Sequence, residues 1–164
     1  MSQAPLHREE IANALTHGLG VLLAVGAGAV LITGVALQAG VRELVGVSVF
    51  VATLILLYSA STLYHLARHP EVKSRLKILD HCAIFLLIAG TYTPFTIAAM
   101  RGGWGWSLFG VIWGLAVVGI VLKLFFTGRF RYLSTATYVG MGWHVILAII
   151  NLTQAIEPAA LRWP

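Results

Sequence analysis

The sequence predicts an all-α, polytopic transmembrane helical bundle, and two observations carry that expectation. Hydrophobic residues make up 59% of the chain and charged residues only 10%, whereas a soluble domain carries about 25% charged residues. Five apolar runs, each close to the roughly 20 residues that a helix needs to cross a bilayer, alternate with short basic connections. A soluble domain with a mean hydropathy of +0.86 would have too little polar surface to cover itself. The chain reads as a single membrane domain over residues 1–164, without a repeat, a low-complexity tract or a second domain.

The first run, 17–38, follows the polar and acidic stretch MSQAPLHREEIANALTH. A cleavable signal would place a basic start directly before a short apolar core, so none is expected. Gly18, Gly20, Gly26 and Gly28 give this helix the small surface that suits close contacts in lipid. The second run, 44–65, ends ahead of Pro70, because the residue before a proline is pushed out of the helical region. The stretch LARHPEVKSRLK then reads as a basic loop leading to the third run, 79–99, where Pro94 is expected to introduce a kink. The fourth and fifth runs, 106–126 and 132–154, follow MRGGWG and TGRFR. Connections this short make neighbouring helices antiparallel.

Orientation follows from the positive-inside rule. With the N-terminus inside, the cytoplasmic side holds Arg8, Arg68, Lys73, Arg75, Lys77, Lys123, Arg129 and Arg131, and the outside only Arg42, Arg101 and Arg162. Trp104, Trp106 and Trp163 then fall near the outer interface, as an aromatic belt would. The expected location is a cell membrane, the inner one in a Gram-negative cell, and the expected partner is the lipid bilayer. The net charge of +5 sits in loops between spans, which reads as topology and argues against nucleic-acid binding. The single cysteine, Cys82, excludes an intrachain disulfide and a cysteine-cluster metal site, and its apolar surroundings make it a small core residue.

Ionisable residues inside spans are costly and default to functional candidates. Glu10, Asn13 and His17 are spaced to line one helix face. Ser61 and His65, four apart, share a face at the end of the second run, and Asp80 opens the third at that same end. Three helices thus bring polar groups to one level, supplying an imidazole as ligand or base, a carboxylate to orient it or hold a water, and a hydroxyl donor. The bland alternative is that each side chain merely meets the headgroups, with Asp80 capping its helix. His65 and His69 form an H-x3-H pair, but Pro70 makes His69 a loop residue. His81 adjoins Asp80 but points about 100° away on a helix. His144 and Asn151 share a face of the fifth run, where packing, pore-facing and ligand roles all stay open. Lys123, near a helix end, is expected to snorkel.

These motifs resemble the hemolysin III family, within the progestin and adipoQ receptor superfamily of seven-helix membrane proteins. EEIANALTHGLG is similar to the family's first motif, STLYH to its second and LDHCAIFLLIAGTYTPF to its third-helix signature, and the similarity runs over 9–143. The resemblance implies two further helices, the last with an H-x3-H motif, and a zinc ion held by those histidines and by His65. Asp80 would lie beside the metal, acting through water. The sequence stops at Pro164 before such a helix, and His144 is not that motif's histidine. The expectation is therefore a truncated member, with a decayed copy or a functional short form as alternatives. One imidazole and one carboxylate fall short of the three protein ligands usual in catalytic zinc sites. Glu10, His17, His69 or a self-associated partner chain are the candidates to complete the set.

Three functions follow as expectations. The first is a zinc-dependent hydrolase acting on a lipid amide or ester, or a receptor-like relative, with His65 as ligand, Asp80 orienting water and Ser61 donating a hydrogen bond. The second is a channel-forming or cytolytic membrane protein. The third is an inactive fragment. Whether the chain is an enzyme stays open at this level.

Overall fold

The computed structural model describes residues 8–100, 102–126 and 135–143. Four helices among them are each long and apolar enough to cross a bilayer, as expected for a polytopic helical bundle. They are α1 (Arg8–Gln38), α2 (Val41–Leu66), α3 (Pro70–Pro94), which continues through a wider turn over Phe95–Ala99, and α4 (Gly103–Phe126). Residues 135–143 are also helical, and the rest of the fifth apolar run lies outside the described residues.

Two helices begin well before their apolar runs. α1 starts at Arg8 rather than at residue 17, with Glu9 and Glu10 in its first turn, where acidic groups complement the helix dipole. Its 31 residues extend about 46 Å, well beyond the roughly 30 Å of hydrocarbon in a bilayer. The first turns therefore project past the apolar layer.

α3 is the larger correction. The basic stretch expected to be a loop shortens to residues 67–69, and the helix begins at Pro70. His69 is extended, at φ −79° and ψ 124°, as a residue before proline must be. Pro70 occupies the first helical position, where its missing N–H costs nothing. Asp80 therefore lies nearly three turns inside α3 and does not cap it.

The expected kink at Pro94 takes a specific form. With no N–H at Pro94, the chain widens, and the Met100 amide donates to the Phe95 carbonyl five residues back, at 2.7 Å. Gly102, at φ 90°, then turns the chain into α4.

Small residues bring the helix axes together. Gly20 rests against the Tyr58 ring and Gly28 against Val51, which sets α1 antiparallel to α2. Gly46 lies against the Pro94 backbone and Gly90 against Thr53, which sets α2 antiparallel to α3. Extending that register from Gly90 back to Asp80 places Asp80 level with the turn of α2 around Ser61.

The tightest packing lies among α3, α4 and residues 135–143, where Phe85, Ala89, Ile112, Ala116 and Met141 are fully buried. Hydrogen bonds from three aromatic side chains help to fix this side. Trp113 donates to Thr93 Oγ1 at 3.1 Å, Tyr92 donates to the Met141 carbonyl at 2.9 Å, and Tyr138 donates to the His81 carbonyl at 3.0 Å.

A Cβ at Gly46 would sit 2.7 Å from Pro94 Cα, a backbone atom that cannot swing away. Gly46→Leu is therefore expected to destabilise the bundle by about 1–3 kcal/mol through overpacking. Leucine at Gly26, which faces open space, should leave the melting midpoint of the detergent-solubilised protein unchanged. Equal midpoints for the two variants would dismiss the Gly46–Pro94 contact as a packing constraint.

Candidate functional site

The polar residues meet where α1 begins, α2 ends and α3 begins. Glu10 and His17, seven residues apart, share one face of α1. That face meets the last turns of α2, where Ser61 and His65 stand four apart. Across the interface His65 Nδ1 lies 2.7 Å from Glu10 Oε2, and His17 Nδ1 lies 2.7 Å from Ser61 Oγ. The His17 and His65 rings meet edge to face, 5.7 Å between centroids.

An ionised carboxylate only accepts hydrogen bonds. His65 therefore donates through Nδ1–H, and in the neutral ring the lone pair is on Nε2. A carboxylate behind an imidazole is the arrangement that fixes tautomer and orientation in metal-ligating and basic histidines. Ser61 is buried. Its hydroxyl either donates to His17 Nδ1 or accepts a hydrogen bond from its N–H, depending on the His17 tautomer.

The third participant comes from the stretch expected to be a loop. Because α3 starts at Pro70, Lys73 is placed within reach of α1, and its Nζ lies 2.9 Å from Glu10 Oε1. The same ammonium lies 5.0 Å from the centroid of the Tyr64 ring, within cation–π range. Each oxygen of Glu10 is thus engaged by a donor from a different helix. The three side chains are partly exposed, at 25% for Glu10, 15% for His65 and 29% for Lys73, so the cluster opens to the surface.

The other candidates separate. Asp80 is half-buried and, among the described residues, makes no hydrogen bond or ion pair. It lies seven residues from Lys73 and fourteen from Pro94, on one stripe of α3. Asn13 shares the Glu10–His17 face by spacing but is exposed, and only its carbonyl is engaged, accepting from Thr16 at 3.1 Å. His69 is extended between α2 and α3, as its loop reading required, and its Nδ1 is buried without a partner. His81 Nδ1 donates to the Lys77 carbonyl of its own helix at 2.6 Å, which holds it out of the cluster. His144 and Asn151 lie outside the described residues.

Sequence reasoning missed Lys73. A proline followed by Glu71 is a helix-start signal, and it could have placed a lysine three residues on at the start of a helix rather than in a loop.

Among the described residues no group of three or more His, Cys, Asp or Glu side chains is placed to hold a metal. His65, backed by Glu10, suits one ligand position, and the described residues do not complete a set.

A family profile described as Haemolysin-III related matches residues 6–163. The chain belongs to that family. Hemolysin-3 of Bacillus cereus is 47% identical over 147 residues, which are 90% of this chain and 67% of that protein. A Hemolysin-3 homolog of Bacillus subtilis strain 168 is 45% identical over 152 residues, 93% of this chain and 71% of that protein. With these relatives, the four apolar helices make this a multi-pass membrane protein of the haemolysin III type.

Glu10→Ala removes the acceptor behind His65. Nitrogen-15 NMR of the histidine ring is then expected to show loss of the single Nδ1–H tautomer, and the stability cost should be about 1 kcal/mol for one part-exposed hydrogen bond. Lys73→Met leaves Glu10 in place and should preserve the tautomer. A His65 spectrum unchanged by Glu10→Ala would rule out the carboxylate as the orienting group.

Proposed function

We propose that the Glu10–His65 end of this haemolysin III-type protein contributes to a zinc-dependent hydrolytic centre acting on the amide or ester bond of a lipid. The supporting observation is His65 Nε2, left free by an Nδ1–H that donates to Glu10 at 2.7 Å. A bound zinc ion supplies a water of lowered pKa and a Lewis acid for the carbonyl. His65 would hold it, and the remaining ligands would come from outside the described residues or from a second copy of the chain.

The chain's own residues have distinct parts in this reading. Glu10 positions His65. Asp80, an unpartnered carboxylate at the level of Ser61, accepts a proton from a water and orients it. Ser61 donates to the substrate side when His17 carries its proton on Nδ1, and donates to His17 otherwise. The first turns of α3 bring Lys73, Arg75 and Lys77 to the same end, and the distribution of cations along the whole chain supports a cytoplasmic position for it.

Metal analysis of the purified chain tests this directly. About one zinc per chain is expected, lost in His65→Ala and bound about 10–100-fold more weakly in Glu10→Ala, as for a partner behind a metal ligand. Asp80→Asn should keep the metal and abolish turnover of a fluorescent lipid amide or ester. No stoichiometric zinc, together with no effect of His65→Ala, would reject the reading.

The names of the relatives support a second function, lysis of membranes. Dye release from vesicles distinguishes the two, because a hydrolase without pore activity leaves encapsulated dye in place. Absence of zinc, turnover and dye release together would leave the inactive-fragment reading.

A further inference from the structure

The other end of the bundle holds a feature that the polar cluster does not use. Gly46 lets α2 lie directly against Pro94. Beyond that contact the wide turn over Phe95–Ala99 stays beside α2 but does not pack on α1, and Phe95 is left 43% exposed. The space between is a groove of about 360 Å³, walled by Val35, Val47, Pro94 and Phe95. It adjoins a mouth of about 470 Å³ lined by Arg42 and Glu43, and Glu43 and Ala98 border both spaces.

The walls decide the contents of the inner groove. These side chains are apolar apart from the Glu43 carboxylate, so hydrocarbon covers them more favourably than water does. An apolar chain fits.

The mouth decides the head group. Arg42 and Glu43 are adjacent on a helix, so their side chains diverge by about 100°, and neither makes an ion pair or hydrogen bond among the described residues. One opening thus presents a cation and an anion that do not neutralise each other. An anionic head group such as phosphatidylglycerol would pair with Arg42 and leave Glu43 facing like charge. A head group carrying both a phosphodiester and a primary ammonium answers both, with phosphate to the guanidinium and N–H donors to the carboxylate. Phosphatidylcholine has the same charges but no N–H to donate.

We propose that this groove is a binding site for a phospholipid with a primary-amine zwitterionic head group, phosphatidylethanolamine, with one acyl chain lying between α1, α2 and the turn after Pro94. Glu43 selects the ammonium and Arg42 the phosphate.

Native mass spectrometry of the purified chain, equilibrated with equimolar phosphatidylethanolamine, phosphatidylcholine and phosphatidylglycerol, tests the proposal. Wild type should retain phosphatidylethanolamine about tenfold or more over either competitor, the discrimination expected for a charge-assisted hydrogen bond. Glu43→Gln, a side chain with no bond to lose, should fold normally and bring retention of phosphatidylethanolamine down to that of phosphatidylcholine. Ala98→Phe, which fills the groove, should reduce retention of all three lipids. Equal retention of the three lipids by wild type overturns the site, and so does a preference that survives Glu43→Gln. Zinc content, read on the same samples, should be unchanged in Glu43→Gln, so loss of lipid selectivity and loss of the metal centre are separate outcomes.

Discussion

Burying a carboxylate costs less when donors satisfy it, and Glu10 takes its donors from two other helices. His65 of α2 engages one oxygen and Lys73 of α3 the other, so one side chain of α1 closes this end of the bundle. The three groups are partly exposed, and ion pairs in that setting contribute only about 0–1 kcal/mol. Their consequence is geometric. With both Glu10 oxygens engaged, the carboxylate has little freedom to turn, and the imidazole hydrogen-bonded to it keeps its proton on Nδ1 and its lone pair on Nε2. The proposed chemistry at this end would depend on that constraint, because an imidazole free to rotate or change tautomer presents no fixed lone pair to a metal or a proton.

Much of this arrangement was legible in the sequence, for physical reasons. Spans are fixed by the length of hydrocarbon to be crossed, so four of the five apolar runs match helices that can span a membrane. The spacings Glu10/His17 and Ser61/His65 follow the helical period, and both pairs meet across the α1–α2 interface. Asn13 obeys the same period and is nonetheless exposed, because spacing gives the face of one helix and not how far the neighbouring helix covers it. The start of α3 was misread because apolarity measures what lipid accepts, not where a helix begins. VKSRLK is charged, yet lysine, arginine and leucine are good helix formers, and a proline at the first position is preorganised for the helical turn. Reading the stretch as a loop also displaced Asp80 from the interior of a helix to its cap. Pro94 announced an irregularity, but not that it would take the form of a wider turn closed by the Met100 amide on the Phe95 carbonyl.

The two prolines of α3 act in opposite ways because of where they fall. At Pro70 the missing N–H is one that the first turn of a helix never uses, so the ring promotes a start and brings Lys73 to Glu10. At Pro94 the missing N–H removes a hydrogen bond from an established helix, the turn widens, and a groove lies between that turn, α1 and α2. One residue type therefore helps to assemble a polar cluster at one end and an apolar cleft at the other. Lys73 and Ala98 are separated by about 37 Å along the helix, far beyond direct contact. Substitutions that far apart, with no shared partner, act additively. A lipid held at the groove would alter His65 only by shifting α3 as a body against α1. The Lys73–Glu10 contact opposes that movement only weakly, because water can replace the ammonium at a partly exposed carboxylate.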